Sequence, residues 1–295
     1  MLYQLYSPPP PLGHFVELLW LYEGFRPEHP RERLLPTGTV EMVIDLRQDR
    51  ILTYGRRDVQ RPFTLSSSVV CGAHSEFFVI DTASQDAVIG VHFRPGGAFP
   101  FLKLPHGELH NQHVDLSSLW GRQTASELRE RLLAAPTPDG KLRVLEKVLL
   151  DQAHGAFERH PAVAYALREF QTAPGERTIG DVTELTGLSA RRFIDVFEKE
   201  VGLTPKLFCR VRRFQRVLQE IQSGAVPGRP GSDSNGASRH ATNGCAVDWA
   251  TIALNCGYYD QAHFIHDFRA FSGINPSSYL AAHTPHLNHV PLWDD

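Results

Sequence analysis

The chain has 295 residues, enough for one large domain or two ordinary ones, and its 42% hydrophobic and 21% charged residues are those of a folded globular protein. A formal charge of −3 excludes no partner, because a local basic patch can bind nucleic acid inside a near-neutral total. No run approaches eighteen apolar residues, so no membrane span is expected.

The opening "MLYQLYSPPPP" lacks a basic segment followed by an apolar one and does not read as a signal peptide. Cys71, Cys209, Cys245 and Cys256 show no paired spacing, which reads as reduced thiols in a cytoplasmic protein. From His14 to about Phe101 the periodicity is mostly two. "HFVELLWLY", "TVEMVIDL", "SSVVCG" and "AVIGVHF" read as strands, with turns at Pro36, Gly38 and "RPGG". This predicts a β-rich barrel or sandwich over residues 1–115, and "HVDLSSLWG" then leads into helix.

Residues 116–160 predict linking helices. "RQTASELRERLLAA" sets Leu128, Leu132 and Leu133 on one stripe, and "DGKLRVLEKVLLDQA" repeats the pattern. Those stripes suit packing inside one subunit or a dimer seam equally well. Pro161 stands at the first position of the helix in "PAVAYALREFQ". Residues 223–247, rich in Gly, Ser and Asn, cannot bury enough apolar surface to offset their ordering and read as a flexible insert. The end, "TPHLNHVPLWDD", reads as a loose tail over residues 283–295 to which Trp293 offers one docking side chain.

A repeat flanks the insert. Ile179, Val182, Thr183 and Gly187 match Trp249, Ile252, Ala253 and Gly257 at an offset of 70. Phe193, Phe197, Gly202 and Pro205 match Phe264, Phe268, Gly273 and Pro276 at an offset of 71. Each copy reads as a short helix, a break at Gly, a second helix capped by Ser189 or Asp260, and a Gly-x-x-Pro stop. That is a helix-turn-helix, whose second helix can enter a major groove. Between the copies, "PKLFCRVRRFQRVLQEIQ" forms a helix with Leu207, Val211, Phe214 and Leu218 on one side. It carries the cations Lys206, Arg210, Arg212, Arg213 and Arg216. At 1.5 Å per residue it spans about 25 Å, a strut able to hold two recognition helices roughly one DNA turn, about 34 Å, apart.

"IALNCGYYDQAHFIHDFRAFSGINPSSY" and "GLSARRFIDVFEKEVGLTPKLF" resemble the paired subdomains of the AraC/XylS family of bacterial transcription regulators. The positions that carry the resemblance include Ile252, Ala253, Gly257, Tyr258, Asp260, Gln261, His263, Phe264, Phe268, Gly273, Pro276 and Tyr279. It covers about residues 165–280. "VHFRPGGAFPFL" and "VDLSSLWG" resemble, more weakly, a β-rich module found ahead of this domain in actinobacterial-type members. The resemblance implies an α+β chain: a β-rich sensor or dimerisation domain, then an all-α DNA-binding domain over 161–282 with two helix-turn-helix subdomains on a long central helix. It implies double-stranded DNA as partner, with a small-molecule effector, RNA polymerase and a second copy of the chain as further candidates. No cofactor, metal, membrane or enzymatic activity is called for. The insert is longer than the family's usual connection, a cheap departure in backbone entropy.

By family position the base-reading residues are Arg191, Ile194 and Asp195 in the first copy and Gln261, Ala262, Ile265 and His266 in the second. Arg191 suits guanine, Gln261 adenine and Ile265 a thymine methyl; Asp195 would accept from cytosine or orient Arg191 or Arg192. Lys206, Arg210, Arg212, Arg213, Arg216 and Arg269 fall to phosphate. Val182, Phe193, Phe197, Ile252, Phe264 and Phe268 are the expected core of the two units. Residues 248–280 hold one Arg against three Asp, a local charge of −2, so the first copy is expected to supply most affinity.

Two alternatives stand beside this reading. A metal-dependent cupin-like enzyme would use His74, Glu76 and His92, while His106, His110 and His113, or His263, His266 and Asp267, offer other metal ligands at weak spacings. Near-stoichiometric metal in the purified protein would favour it. A protein-interaction module without DNA is the other.

Overall fold

The computed structural model describes residues 2–24, 27–56, 58–102, 104–153, 157–172, 177–223, 247–282 and 284–293. Cys245 and nearly all of the expected insert lie outside these residues. The strands are β1 (Leu2–Tyr6), β2 (Val16–Glu23), β3 (Arg31–Leu34), β4 (Glu41–Asp45), β5 (Arg50–Gly55), β6 (Asp58–Ser66), β7 (Ser68–Cys71), β8 (Phe78–Asp81), β9 (Ala87–Phe93), β10 (His113–Asp115) and β11 (His289–Leu292). The helices are α1 (Leu116–Trp120), α2 (Arg122–Ala134), α3 (Pro138–Gln152), α4 (Pro161–Thr172), α5 (Ile179–Leu185), α6 (Ala190–Val201), α7 (Pro205–Gln222), α8 (Trp249–Asn255), α9 (Gln261–Ser272) and α10 (Pro276–Ala282). The architecture is α+β, a two-sheet β region followed by a helical one.

Two antiparallel sheets face each other, in the orders β1-β2-β9-β4-β7-β10 and β11-β3-β8-β5-β6. Alternation along each strand sorts side chains to two sides. In β4, Met42 and Ile44 join Leu19, Ile89, Leu128 and Leu145 in a core against α2 and α3. Glu41 and Val43 point the other way, into a cavity between the sheets. The apolar stripes of α2 and α3 are therefore consumed within the subunit. Leu133 departs from expectation and is 47% exposed. One residue beyond the buried Leu132, it is rotated about 100° off the stripe.

The last described residues also depart from expectation. The segment read as a loose tail forms β11, antiparallel to β3, with Val290 opposite Arg33 and buried. The otherwise unpaired edge of β3 supplies the hydrogen-bonding groups that a free tail would have left to water. A second core runs across both regions: Phe193, Phe197, Phe214, Phe264 and Phe268 share it with Leu35, Phe77 and Val79 of the β region.

Candidate nucleic-acid interface

The helix boundaries reproduce the sequence repeat. From α5 to α8 the first residue moves from 179 to 249 and the last from 185 to 255, a shift of 70 at both ends. From α6 to α9 the ends move from 190 to 261 and from 201 to 272, a shift of 71. Local chemistry repeats as well. Thr178 and Asp181 form a capping box before α5, and Asp248 accepts from Ala250 N and Thr251 N before α8. Ser189 accepts from Arg192 N and Asp260 from His263 N, so each second helix starts on a side-chain cap. Gly187 and Gly257 turn at φ 71° and 82°, and Gly202 and Gly273 end the second helices at φ 90° and 74°, left-handed backbone that other residues adopt only with strain.

Burial divides each second helix into two sides. Val182, Phe193, Phe197, Ile252, Phe264 and Phe268 are all buried, with the four phenylalanines at 0% exposure. Their i, i+4 spacing fixes the inward side of each helix and turns the opposite side outward. Arg191, Ile194 and Asp195 are exposed on α6, and Gln261, Ala262 and His266 on α9. Ile265 is half-buried. It lines an open recess with Ala262, His266, Arg269 and Ala270, and the far wall is Arg56, beyond the end of β5. Nothing in the sequence near Arg56 announces that approach.

The basic row of α7 is less free than its composition implies. Arg210 Nη2 donates to Asp267 Oδ1 at 2.6 Å, and Asp267 is 1% exposed. The Arg213 guanidinium lies 5.3 Å from the centre of the Tyr258 ring. Arg212, Arg213 and Arg216 are half-buried, and desolvation lowers the pKa of Arg212 and of Arg216 from the ordinary arginine value. Lys206 and Arg269 are exposed. The second unit's acids are also engaged: Asp248 and Asp260 cap helices and Asp267 holds Arg210. A count of local charge therefore overstates the repulsion that the second face would offer a phosphate.

The two regions meet along a polar and apolar seam. Gln215 Nε2 on α7 donates to Pro36 O and to Asn288 Oδ1, both at 2.8 Å. His106 is fully buried, and its Nδ1–H donates to Glu200 O at 2.9 Å. Gly273 lies so close to Phe77 that an added Cβ would be 2.3 Å from ring atom Cε1.

The residues considered as metal ligands do not converge. His92 pairs with Glu41 at 2.9 Å, Glu76 with Arg56 at 3.2 Å, and His74 stacks against Phe78 and His113. His110 meets Ser75 Oγ, away from the His106 contact with Glu200. His263 Nε2 is 3.8 Å from Asp267 while His266 faces outward. Among the described residues no group of three or more His, Cys, Asp or Glu is placed to hold a metal. No described helix is long and apolar enough to cross a membrane.

The cavity between the sheets has a volume of about 400 Å³. Sequence reading did not single it out. Only the pleat alternation in strands such as β4 carries a trace of it.

Residues 4–115 match a family described as "Domain of unknown function (DUF6597)". No curated protein matches the sequence. Among solved structures, the chain is similar to an apo variant of ToxT from Vibrio cholerae, at 10% identity and TM-score 0.44, covering 90% of this chain and 96% of that one. A second ToxT structure from that organism gives 10% identity and TM-score 0.43, with 95% and 97% covered. A third, bound to (E)-4-(8-methylnaphthalen-1-yl)but-3-enoic acid, gives 10% and 0.44, with 95% and 98% covered.

Proposed function

We propose that this chain is a sequence-specific DNA-binding regulator of transcription, as its resemblance to the AraC/XylS family implies. The observation that carries the reading is the repeated unit: two capped, Gly-broken helix pairs with equivalent positions turned outward from a phenylalanine core. Arg191, Ile194 and Asp195 on α6, and Gln261, Ala262, Ile265 and His266 on α9, read bases in successive major grooves. Lys206, Arg212, Arg213, Arg216 and Arg269 contact phosphate and set the salt dependence. Arg210 serves the join between α7 and α9 before it serves DNA. The β region senses a small effector in the space between its sheets. RNA polymerase, a second copy of the chain and a cytoplasmic setting belong to the same reading.

Genomic footprinting of the tagged protein tests it. Discrete duplex sites near promoters are expected, each with two protected stretches about one helical turn apart. Absence of any enriched site, together with no duplex binding at low salt, would sink the proposal.

A further inference from the structure

The cavity between the sheets carries chemistry of its own. Trp20, Tyr22, Val43, Val69 and Phe78 give it a largely apolar wall. Its two less exposed carboxylates are already answered: Glu41 by His92 at 2.9 Å, and Glu32 by His29 at 2.6 Å and His289 at 2.7 Å, while the third, Glu17, is exposed to water. A charged ligand seated beside Glu41 and Glu32 would find no uncompensated opposite, and its burial would carry the cost of desolvating an ion.

Two ring nitrogens in the wall do lack a protein partner. His74 Nε2 and His113 Nε2 are buried without a hydrogen bond, on rings 4.9 Å apart that both rest on Phe78. Burial keeps both imidazoles neutral, with His113 pushed down to about 4 and His74 well below the ordinary histidine value. A neutral imidazole carries its lone pair on one of its two nitrogens, and an Nε2 in that form accepts from a donor. A buried acceptor left unmade is costly enough to call for a partner.

The remaining wall comes from the far end of the chain. His286, Leu287, Asn288 and His289 line the cavity, and the segment is fastened on both sides. Asn288 O accepts from Leu35 N at 2.9 Å in the β region. Asn288 Oδ1 accepts from Gln215 on α7, and Leu287 O accepts from the Tyr279 hydroxyl of α10 at 2.7 Å.

We propose that the space between the sheets binds a neutral, mainly apolar molecule with one hydrogen-bond donor directed at His74 Nε2. Segment 284–292 is the wall through which its occupancy reaches α7 and α10. The second half rests on the regulator reading, since it makes the cavity an input to the DNA-binding helices. Seating the ligand adds contacts to the wall and fastens it more tightly.

The test is a fluorescence titration of the full chain with N-phenyl-1-naphthylamine, a neutral aromatic probe with one N–H. Its 8-sulfonate, the same skeleton with a charge, serves as comparison. The neutral probe should brighten and saturate, with the sulfonate at least tenfold weaker. His74→Phe, which keeps the stacking and removes the acceptor, should weaken the neutral probe at least fivefold but leave its N-methyl derivative unchanged. Val43→Phe fills the space and should abolish the signal even if His74→Phe does not fold. Saturating probe should slow amide exchange of residues 287–292 at least threefold. Equal binding of the sulfonate, a full signal in Val43→Phe, or unchanged exchange at those amides would overturn the inference. None of these readings involves DNA. Loss of duplex binding alone would therefore count against the regulator reading while leaving the cavity assignment in place.

Discussion

Arg210 on the central helix donates to Asp267 on α9 at 2.6 Å, and this pair ties the first half of the helical region to the second. Asp267 is almost fully buried, with His263 Nε2 at 3.8 Å as a second neighbour. Arg210→Met would strand that carboxylate. A fully buried pair broken this way costs about 3–5 kcal/mol, and the partial exposure of Arg210 trims the expectation to about 2–4 kcal/mol. The urea midpoint should fall accordingly, with Asp267→Asn milder because it keeps an acceptor. The slope of DNA affinity against salt should hold. A slope reduced by about one would show that Arg210 contacts a phosphate instead.

The two reading faces can be ranked. Arg191 is exposed on α6, whereas the second face carries Gln261 and a half-buried Ile265 beside Arg56. Arg191→Ala is expected to lose about 1–3 kcal/mol of DNA affinity and to relax preference at one base pair. Gln261→Ala should lose less. The reverse order, measured by titration of a footprinted site at fixed salt, would remove the ranking.

Gly187 and Gly273 share a left-handed backbone but not a neighbourhood. At Gly187 an added Cβ meets nothing within 4 Å, so Gly187→Ala should cost only the backbone strain, about 1–2 kcal/mol. At Gly273 it would collide with the Phe77 ring, on whose face the Arg33 guanidinium lies 4.5 Å from the centroid. Gly273→Ala should cost about 2–4 kcal/mol by adding overpacking to strain. Thermal unfolding of the two variants, compared side by side, checks the difference.

Acid should unfold the protein earlier than its carboxylates alone would require. Burial pushes both His106 and His113 down to about 4, so the folded chain keeps them neutral where an unfolded chain, titrating near 6.5, binds protons. Their contribution is complete above about pH 6.5 and is lost as pH falls toward 4, roughly 3 kcal/mol for each ring. His92 acts in the opposite sense. Although burial pulls its pKa down, Glu41 raises it overall, which adds stability below 6.5 that fades as pH rises. The net expectation is a falling urea midpoint between pH 7 and 4.5, and His113→Phe should make the fall shallower without removing it, since His74 and His106 are depressed as well. A flat profile would contradict it.

Elements whose stability is written locally were legible in the sequence. The helix pairs declare themselves because Ser189, Asp260 and the glycines act on their own neighbours, and because the phenylalanine spacing fixes the buried side. β2, β4, β7 and β9 declare themselves by their runs of Val, Ile, Leu and aromatic residues. β3 and β6, with the sequences RERL and DVQRPFTLS, do not, since their charged and polar residues sit on a strand whose outer side meets water or a late partner. Properties that depend on distant segments were beyond reach. The partners of Arg210 and Arg213 are Asp267 and Tyr258, more than forty residues further along. The cavity is assembled from strands of both sheets and from residues 286–289, none of which specifies it alone. Arg56 beside α9 belongs to the same group.

The pairing of β11 with β3 has a consequence for biosynthesis. β3 is made before every helix, while the strand that covers its edge follows all of them, so a nascent chain carries an open sheet margin until β11 has emerged. Such a margin invites association with other chains during that interval. Emergence of β11, rather than the making of either region, is then the event that closes the edge of β3. A chain stopped between α10 and β11 would have both helix pairs made but the β region unsealed.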